Sequence, residues 1–443
     1  MQKNNFRLIL FVFISAIGYF VLGYFTSREN TIPLFTLYGS LFAAYIASWY
    51  SVREQSVTHY IYAAIGLRLL LLFSVPVLSD DIYRFIWDGR LLANGISPFA
   101  AVPIDYISNQ SGQIPGIDSS LFQLLNSPEY FTVYPPLSQL VFWLAAVISP
   151  DSTFGSIIVV RVLIIVAEIG CIYLIKKLLA HYQLPSKNVL LYALNPLVIL
   201  ELTGNLHFEP FMIFFLLLAI YLMIKNRLAL SGISWSAAIG FKLIPLIFLP
   251  LLIRRLNIKA QVVIYATTGI ATLLLFLPLY DEALINGLSS SLTLYFQTFE
   301  FNASLYYLAR AVGYWFKGYN IIAQLGPSLA LVTFIAIMTY ALRARQKFTL
   351  LPTAAMWVLL IYLSLATTVH PWYITTLVAL SVFSQYRFVV LWSLLIFVTY
   401  AGYSFNGYAE PMTLIILEYI GLAIFTCYEI RAHSRSSPIP QSK

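Results

Sequence analysis

Charge is the scarcest commodity in this sequence: Asp, Glu, Lys and Arg together make up 10% of its 443 residues. A soluble surface of that size needs roughly a quarter of its residues charged, so an array of soluble domains is excluded. Cysteine is nearly absent as well. The two present, Cys171 and Cys427, both stand in apolar runs, which excludes a disulfide framework and a Cys-rich metal site. Internal repeats are missing. So are a phosphate-cradling glycine loop with Gly-Lys-Ser/Thr, a His-Glu-x-x-His zinc motif and a Gly-x-Ser-x-Gly nucleophile, so nothing points to a nucleotide handled by this chain.

What is abundant is apolar: 60% hydrophobic residues and 16% aromatic ones. They come in runs such as 8–23 and 319–342, the length of a bilayer-crossing helix. The sequence therefore predicts an all-α polytopic membrane bundle, a single domain over 1–443. The run after Lys3 and Arg7 lacks a small-residue cleavage site and reads as a retained first helix. Fourteen apolar segments can be marked between 7–26 and 411–430, among them 58–78, 155–178, 188–204, 208–224, 228–241 and 243–254. The last two are separated at Lys242–Pro245, because one long span would strand Lys242 at mid-bilayer, at a cost of about 2.5–3.5 kcal/mol or more. With both termini inside, 18 of the 26 basic residues fall in inner loops, as the positive-inside rule requires. The net charge of +8 thus reports orientation, and nothing suggests nucleic acid as a partner. Residues 431–443 form a polar inner tail.

In this orientation residues 79–154 make a long outer loop. It holds seven of the 18 acids, Asp80, Asp81, Asp88, Asp105, Asp118, Glu129 and Asp151, against Arg84 and Arg90. A long loop that gathers acids in an acid-poor chain reads as functional. Its opening, Ser79-Asp80-Asp81, is a helix start, and Ile82, Phe85 and Ile86 follow at the spacing of an amphipathic surface helix with Asp81, Arg84 and Asp88 on the polar face. Ionised carboxylates there can serve as a general base or hold Mg²⁺ or Mn²⁺. The bland alternative is helix capping with a surface salt bridge. Other polar residues fall on the same side: Asn195, Glu201, Asn205, His207, Glu209, Lys242, Asn302, Arg310 and His370-Pro371-Trp372-Tyr373. Singly, each has an ordinary reading, as a satisfied loop histidine, a snorkelling cation, an aromatic belt or a helix–helix contact. Together they outline a site with a base on one wall and cations on another, suited to moving a group off an anionic, phosphate-bearing lipid.

The segment 79–99, Ser-Asp-Asp-Ile-Tyr-Arg-Phe-Ile-Trp-Asp-Gly-Arg-Leu-Leu-Ala-Asn-Gly-Ile-Ser-Pro-Phe, with Tyr134-Pro135-Pro136-Leu137, resembles the GT-C class of integral-membrane glycosyltransferases, most closely its bacterial mannosyltransferase-like members. Asn195-Pro196-Leu197, Gly204-Asn205-Leu206-His207, Gly240-Phe241-Lys242-Leu243-Ile244-Pro245, Phe301-Asn302-Ala303-Ser304 and His370-Pro371-Trp372-Tyr373 extend the likeness. The resemblance implies about 12–14 membrane helices, with amphipathic surface helices in the outer loop, 135–149 among them. It implies an inverting hexosyl transfer, of mannose above all, from a polyprenyl-phosphate-linked donor to an extracytoplasmic lipid or glycan acceptor at a bacterial inner membrane. An outer-loop acid, Asp80 or Asp81, would be the base. Lys242, Arg310, His370 and Arg90 would meet the donor phosphate. Tyr134, Asn205, His207, Glu209, Asn302, Trp372 and Tyr373 would line the substrates. Competing expectations are a lipid-linked sugar flippase or transporter, which calls for midplane polar groups and inverted repeats, and a surface-glycan polymerase or ligase.

Overall fold

The computed structural model describes residues 2–110, 113–280, 282–343 and 351–436. Arg345, Lys347 and Lys443, three of the expected inner cations, and residues 437–443 of the polar tail lie outside the described residues. The fold is an all-α polytopic bundle. Helices α1 (Gln2–Phe25) and α2 (Thr31–Ser51) form a hairpin whose turn carries Arg28, and α3 (Val57–Leu70) packs on α1. The expected span 58–78 stops at Leu70. Pro76 cannot continue a helix and restricts the residue before it. Arg161 Nη1 instead takes the carbonyls of Leu72 (3.0 Å) and Ser74.

The segment 79–154, expected outside, folds as α4 (Asp81–Ala93), α5 (Pro103–Gln110), α6 (Ser119–Phe122) and α7 (Pro136–Ile148). Helix α4 departs from the expected surface helix, since its polar face is covered too. Asp88 is fully buried and Arg84 nearly so. Arg84 Nε donates to Asp88 at 2.8 Å, and Thr132 and Gln139 donate to the other carboxylate oxygen at 2.5 and 3.1 Å. The spare guanidinium hydrogens reach the carbonyls of Tyr130 (2.8 Å) and Ser127 (3.3 Å). Every charge is thereby matched, the condition under which a buried pair is tolerated. Phe85 stacks on Phe142 of α7 at 4.6 Å between centroids.

Helix α8 (Thr153–His181) is the central post. Its Glu168 pairs with the equally buried Arg68 of α3 at 2.8 Å and accepts from Thr203. The apolar stretch 188–204, expected as one helix, is broken into α9 (Leu190–Ala193), α10 (Pro196–Val198) and a π-turn, Ile199–Gly204. Asn195 caps α10 by accepting from Leu197 and Val198, and proline sits at the first helical position, where its missing N–H costs nothing. The chain then bends by 113° into α11 (Glu209–Ile224). Leu206 at φ 65° takes the corner.

Helix α12 (Leu228–Phe241) packs against α11 and α13 (Ile258–Phe276) against α12, the two joined by a 3₁₀ segment, Ile244–Leu252. Helices α14 (Glu282–Gln297), α15 (Leu305–Lys317), α16 (Ile322–Arg343), α17 (Leu351–Leu365), α18 (Tyr373–Ser381) and α19 (Phe388–Leu395) follow. A short hairpin, β1 (Tyr403–Ser404) with β2 (Gly407–Tyr408), leads into α20 (Met412–Ser436). Among the described residues six helices are long and apolar enough to cross a membrane, and seven if the bent pair across Gly204–Glu209 is one span. Several of the other expected spans fall on shorter apolar helices, among them α12, α17 and the stretch Phe388–Gly402, while α7, expected as a surface helix, is likewise short.

Candidate active site

A cavity of about 610 Å³ opens where α4 begins. Its polar end is lined by Asp81, Tyr134, His207, Glu209, Lys242, Trp372 and Tyr373. These seven come from five separate stretches of chain, and three of the stretches are placed by features already described. The break after Leu70 delivers Asp81. The π-turn and the 113° bend deliver His207 and Glu209. The end of α12, cut by the coming Pro245, delivers Lys242. Arg161 ties two of these stretches together: its Nη1 binds the 72–74 carbonyls while Nε and Nη2 bind those of Thr203 (2.9 Å) and Gly204 (3.0 Å).

Of the two adjacent acids, Asp81 is the one that reaches the cavity. One oxygen accepts from the exposed Asn126 amide at 2.8 Å and the other from the Tyr134 hydroxyl at 3.4 Å. His207 lies between two carboxylates, with Nδ1 3.9 Å from Asp81 and Nε2 3.4 Å from Glu201. Its ring is stacked on Trp372 at 3.7 Å. Glu201 also accepts from the Tyr400 hydroxyl at 2.6 Å. Lys242 pairs with the buried Glu209 and lies 4.2 Å from the centre of the Tyr373 ring. The cavity thus offers a negative wall at Asp81 and a cation at Lys242, in a partly desolvated space where both act more strongly than in water.

Other expected site residues are engaged elsewhere. Asp80 is the positional N-cap of α4, but its side chain accepts no helix N–H. It pairs instead with Arg28 at 2.8 Å, whose guanidinium lies over Tyr403. Ser79 takes the capping contact, its hydroxyl accepting from Asp81 N–H at 3.3 Å. Arg90 donates to the Gly116 carbonyl at 2.8 Å. Arg310 pairs with Glu300 and covers Tyr307. Asn302, buried and at φ 43°, is held by Glu410, which accepts its N–H at 2.8 Å, and by Glu418. Asn205 braces the turn, accepting from Leu78 N–H and donating to Glu201. His370 stands behind the wall, stacked on Trp372 at 4.3 Å. Burial, reinforced by His207 and Lys242, pushes its pKa well below the usual histidine value.

The two adjacent acids do not converge as a metal ligand pair, since Asp80 is neutralised by Arg28 and Asp81 turns to Asn126 and Tyr134. Among the described residues no three His, Cys, Asp or Glu side chains gather as a metal site.

The far end of the cavity is apolar, walled by Ile244, Ile247 and Pro250 of the 3₁₀ segment, Phe334 and Ile337 of α16 and Leu365 of α17. Leu246 and Phe334, on the same walls, are 45% and 61% exposed, so this end reaches the flank of the bundle. Nothing in the sequence pattern marked this wall or Asn126. Apolar residues that line a cavity read the same as those that face lipid, and a lone Asn carries no periodic signal.

A sequence profile described as "Alpha-(1->6)-mannopyranosyltransferase, N-terminal domain" matches residues 21–256, more than half of the chain. The chain belongs to this family. The matched region carries Asp81, Tyr134, His207, Glu209 and Lys242, and Trp372 and Tyr373 come from beyond it. Alpha-(1->6)-mannopyranosyltransferase A of Mycobacterium tuberculosis is 26% identical over 227 residues, which cover 51% of this chain and 42% of the relative. Alpha-(1->6)-mannopyranosyltransferase B of Corynebacterium glutamicum is 23% identical over 169 residues, 38% of this chain and 27% of the relative. The matched regions thus span less than half the length of these curated relatives.

Proposed function

We propose that this chain transfers mannose from a polyprenyl-phosphate-linked donor to an extracytoplasmic lipid or glycan acceptor, with inversion at the anomeric carbon and Asp81 as general base. The observation that carries the reading is the single cavity that joins Asp81 and Lys242 to an apolar wall on the bundle's flank. A phosphate ester with a long hydrocarbon tail matches both ends at once. The names of the relatives support mannose as the sugar, and the basic residues clustered at the opposite helix ends support an extracytoplasmic site.

In the proposed step Asp81 removes the proton of the acceptor hydroxyl as that oxygen bonds to the anomeric carbon. The bond from that carbon to the phosphate oxygen breaks, and the polyprenyl phosphate leaves with the electron pair. Lys242 stabilises the charge developing on the leaving oxygen. His207 supports Asp81 from the side, and Tyr134 and Asn126 fix its two oxygens. Asp80 belongs to the Arg28 pair and holds the turn.

Donor-dependent mannosyl transfer in membranes, with a panel of polyprenyl-phosphate sugars, tests this. Asp81→Asn should lower kcat by about 10²–10⁴-fold while the protein still inserts. Asp80→Asn should lower it far less. Equal activity of Asp81→Asn and the unaltered chain would refute the base assignment. Donor translocation without a glycosylated product would favour a flippase.

A further inference from the structure

At the opposite end of α11 and α12 from Asp81 lies a second pocket of about 360 Å³. Helix α11 has 16 residues, which puts this pocket about 24 Å from the active-site end. Its polar lining is His181 at the end of α8, Asn226 in the α11–α12 turn, and Arg255 and Asn257 ahead of α13. Met223, Ile224, Leu228 and Leu256 supply an apolar side. The stretches of chain that line it are one-signed in sequence: no Asp or Glu occurs between Glu168 and Glu201, or between Glu209 and Asp281. These stretches carry Lys176 and Lys177 near the end of α8, Lys225 and Arg227 in the α11–α12 turn, and Arg254, Arg255 and Lys259 around the start of α13. Orientation alone explains basic loops. It does not explain a concavity that gathers a guanidinium, an imidazole and two amides beside an apolar surface.

We propose that this pocket binds a phosphate-bearing anion, the charged group meeting Arg255 and His181. The ligand class is the phosphodiester head group of an anionic membrane lipid or free phosphate, and the apolar side suits the start of an acyl chain. The proposal does not depend on the transferase reading, since it concerns the other end of the molecule and is read by binding.

The test is thermal melting of the purified full chain in detergent, titrated separately with phosphatidylglycerol, phosphatidylcholine and inorganic phosphate. A ligand bound only by the folded state raises the melting temperature saturably. Phosphatidylglycerol should do so and phosphatidylcholine should not. Saturation by inorganic phosphate alone would identify the free anion as the ligand. Arg255→Gln should weaken the response about tenfold, the loss of one charge-assisted hydrogen bond. Asn226→Asp places a like charge in the same turn at a φ of 56°, which Asp tolerates, and should weaken it as well. It serves where Arg255→Gln fails to fold. Lys177→Gln removes a charge that stacks on Tyr173, outside the lining, and should leave the response intact. Equal loss in Arg255→Gln and Lys177→Gln would mean diffuse surface charge and overturn the proposal. So would the absence of any anion-dependent shift.

Discussion

His370 never touches the cavity, yet its protonation bears on the wall behind the site. Its ring stacks on Trp372, faces Phe301 at 4.6 Å between centroids, and feels Lys242 and His207. Burial, with His207 and Lys242 beside it, pushes its folded pKa well below the ordinary 6.5. Above pH 6.5 the ring is neutral in both folded and unfolded chains and stability is complete. Below 6.5 the unfolded chain binds a proton that the folded one refuses, so stability falls with pH by up to about 1.4 kcal/mol per unit. The melting temperature should therefore drop between pH 6.5 and 5, and His370→Gln should flatten that drop. A variant with the same acid sensitivity as the unaltered protein would show that His370 does not carry it.

At the scale of elements, α4 shows how closely the outer segment is packed. A β-carbon on Gly89 would lie 2.2 Å from the Phe142 carbonyl oxygen of α7, whereas one on Gly66 in α3 would meet nothing within 4 Å. Gly89→Ala must push two backbones apart and should destabilise by about 1–3 kcal/mol or more, read as a lower melting temperature. Gly66→Ala removes only helix-interior glycine entropy and should be neutral or stabilising by up to about 1 kcal/mol. The reverse order would contradict this packing. Apolar run length and flanking charge located α8, α12 and α16 within a few residues, because long apolar runs bounded by charge leave few alternatives. Periodicity placed α4 correctly as a helix and misjudged its surroundings. Charged residues at helical spacing read as a wet face, and only the distant Thr132, Gln139 and the Tyr130 carbonyl reveal a dry one. The π-turn was equally hidden, since Ile199–Gly204 differs from ordinary helix only in a bond pattern that Arg161 and Glu168 impose from α8. Of the site, Asp81, His207, Glu209 and Lys242 were visible as rare polar residues in an apolar chain, and the choice of Asp81 over Asp80 waited on Arg28, from a loop fifty residues upstream.

At the scale of the whole molecule, one cavity runs from Asp81 at the start of α4 to an apolar end on the bundle's flank. If a lipid tail lies against Ile247, Phe334 and Leu365, the two ends can be perturbed independently, because they share no side chain. Ala330 lines the apolar end without contributing to the polar one. Ala330→Trp would fill space that the tail needs, and displacing one well-buried apolar group costs about 1.5–3 kcal/mol. The kcat/KM for a long-chain polyprenyl-phosphate donor should accordingly fall about tenfold or more. A donor analogue with a short tail never reaches α16 and should keep most of its kcat/KM. Lys242→Gln should give the opposite signature, lowering turnover of both donors alike, because it acts where the phosphate departs and not where the tail rests. Equal losses for long and short donors in Ala330→Trp would mean that the apolar arm is mere lipid-facing surface, and the tail would have to leave the site by another route.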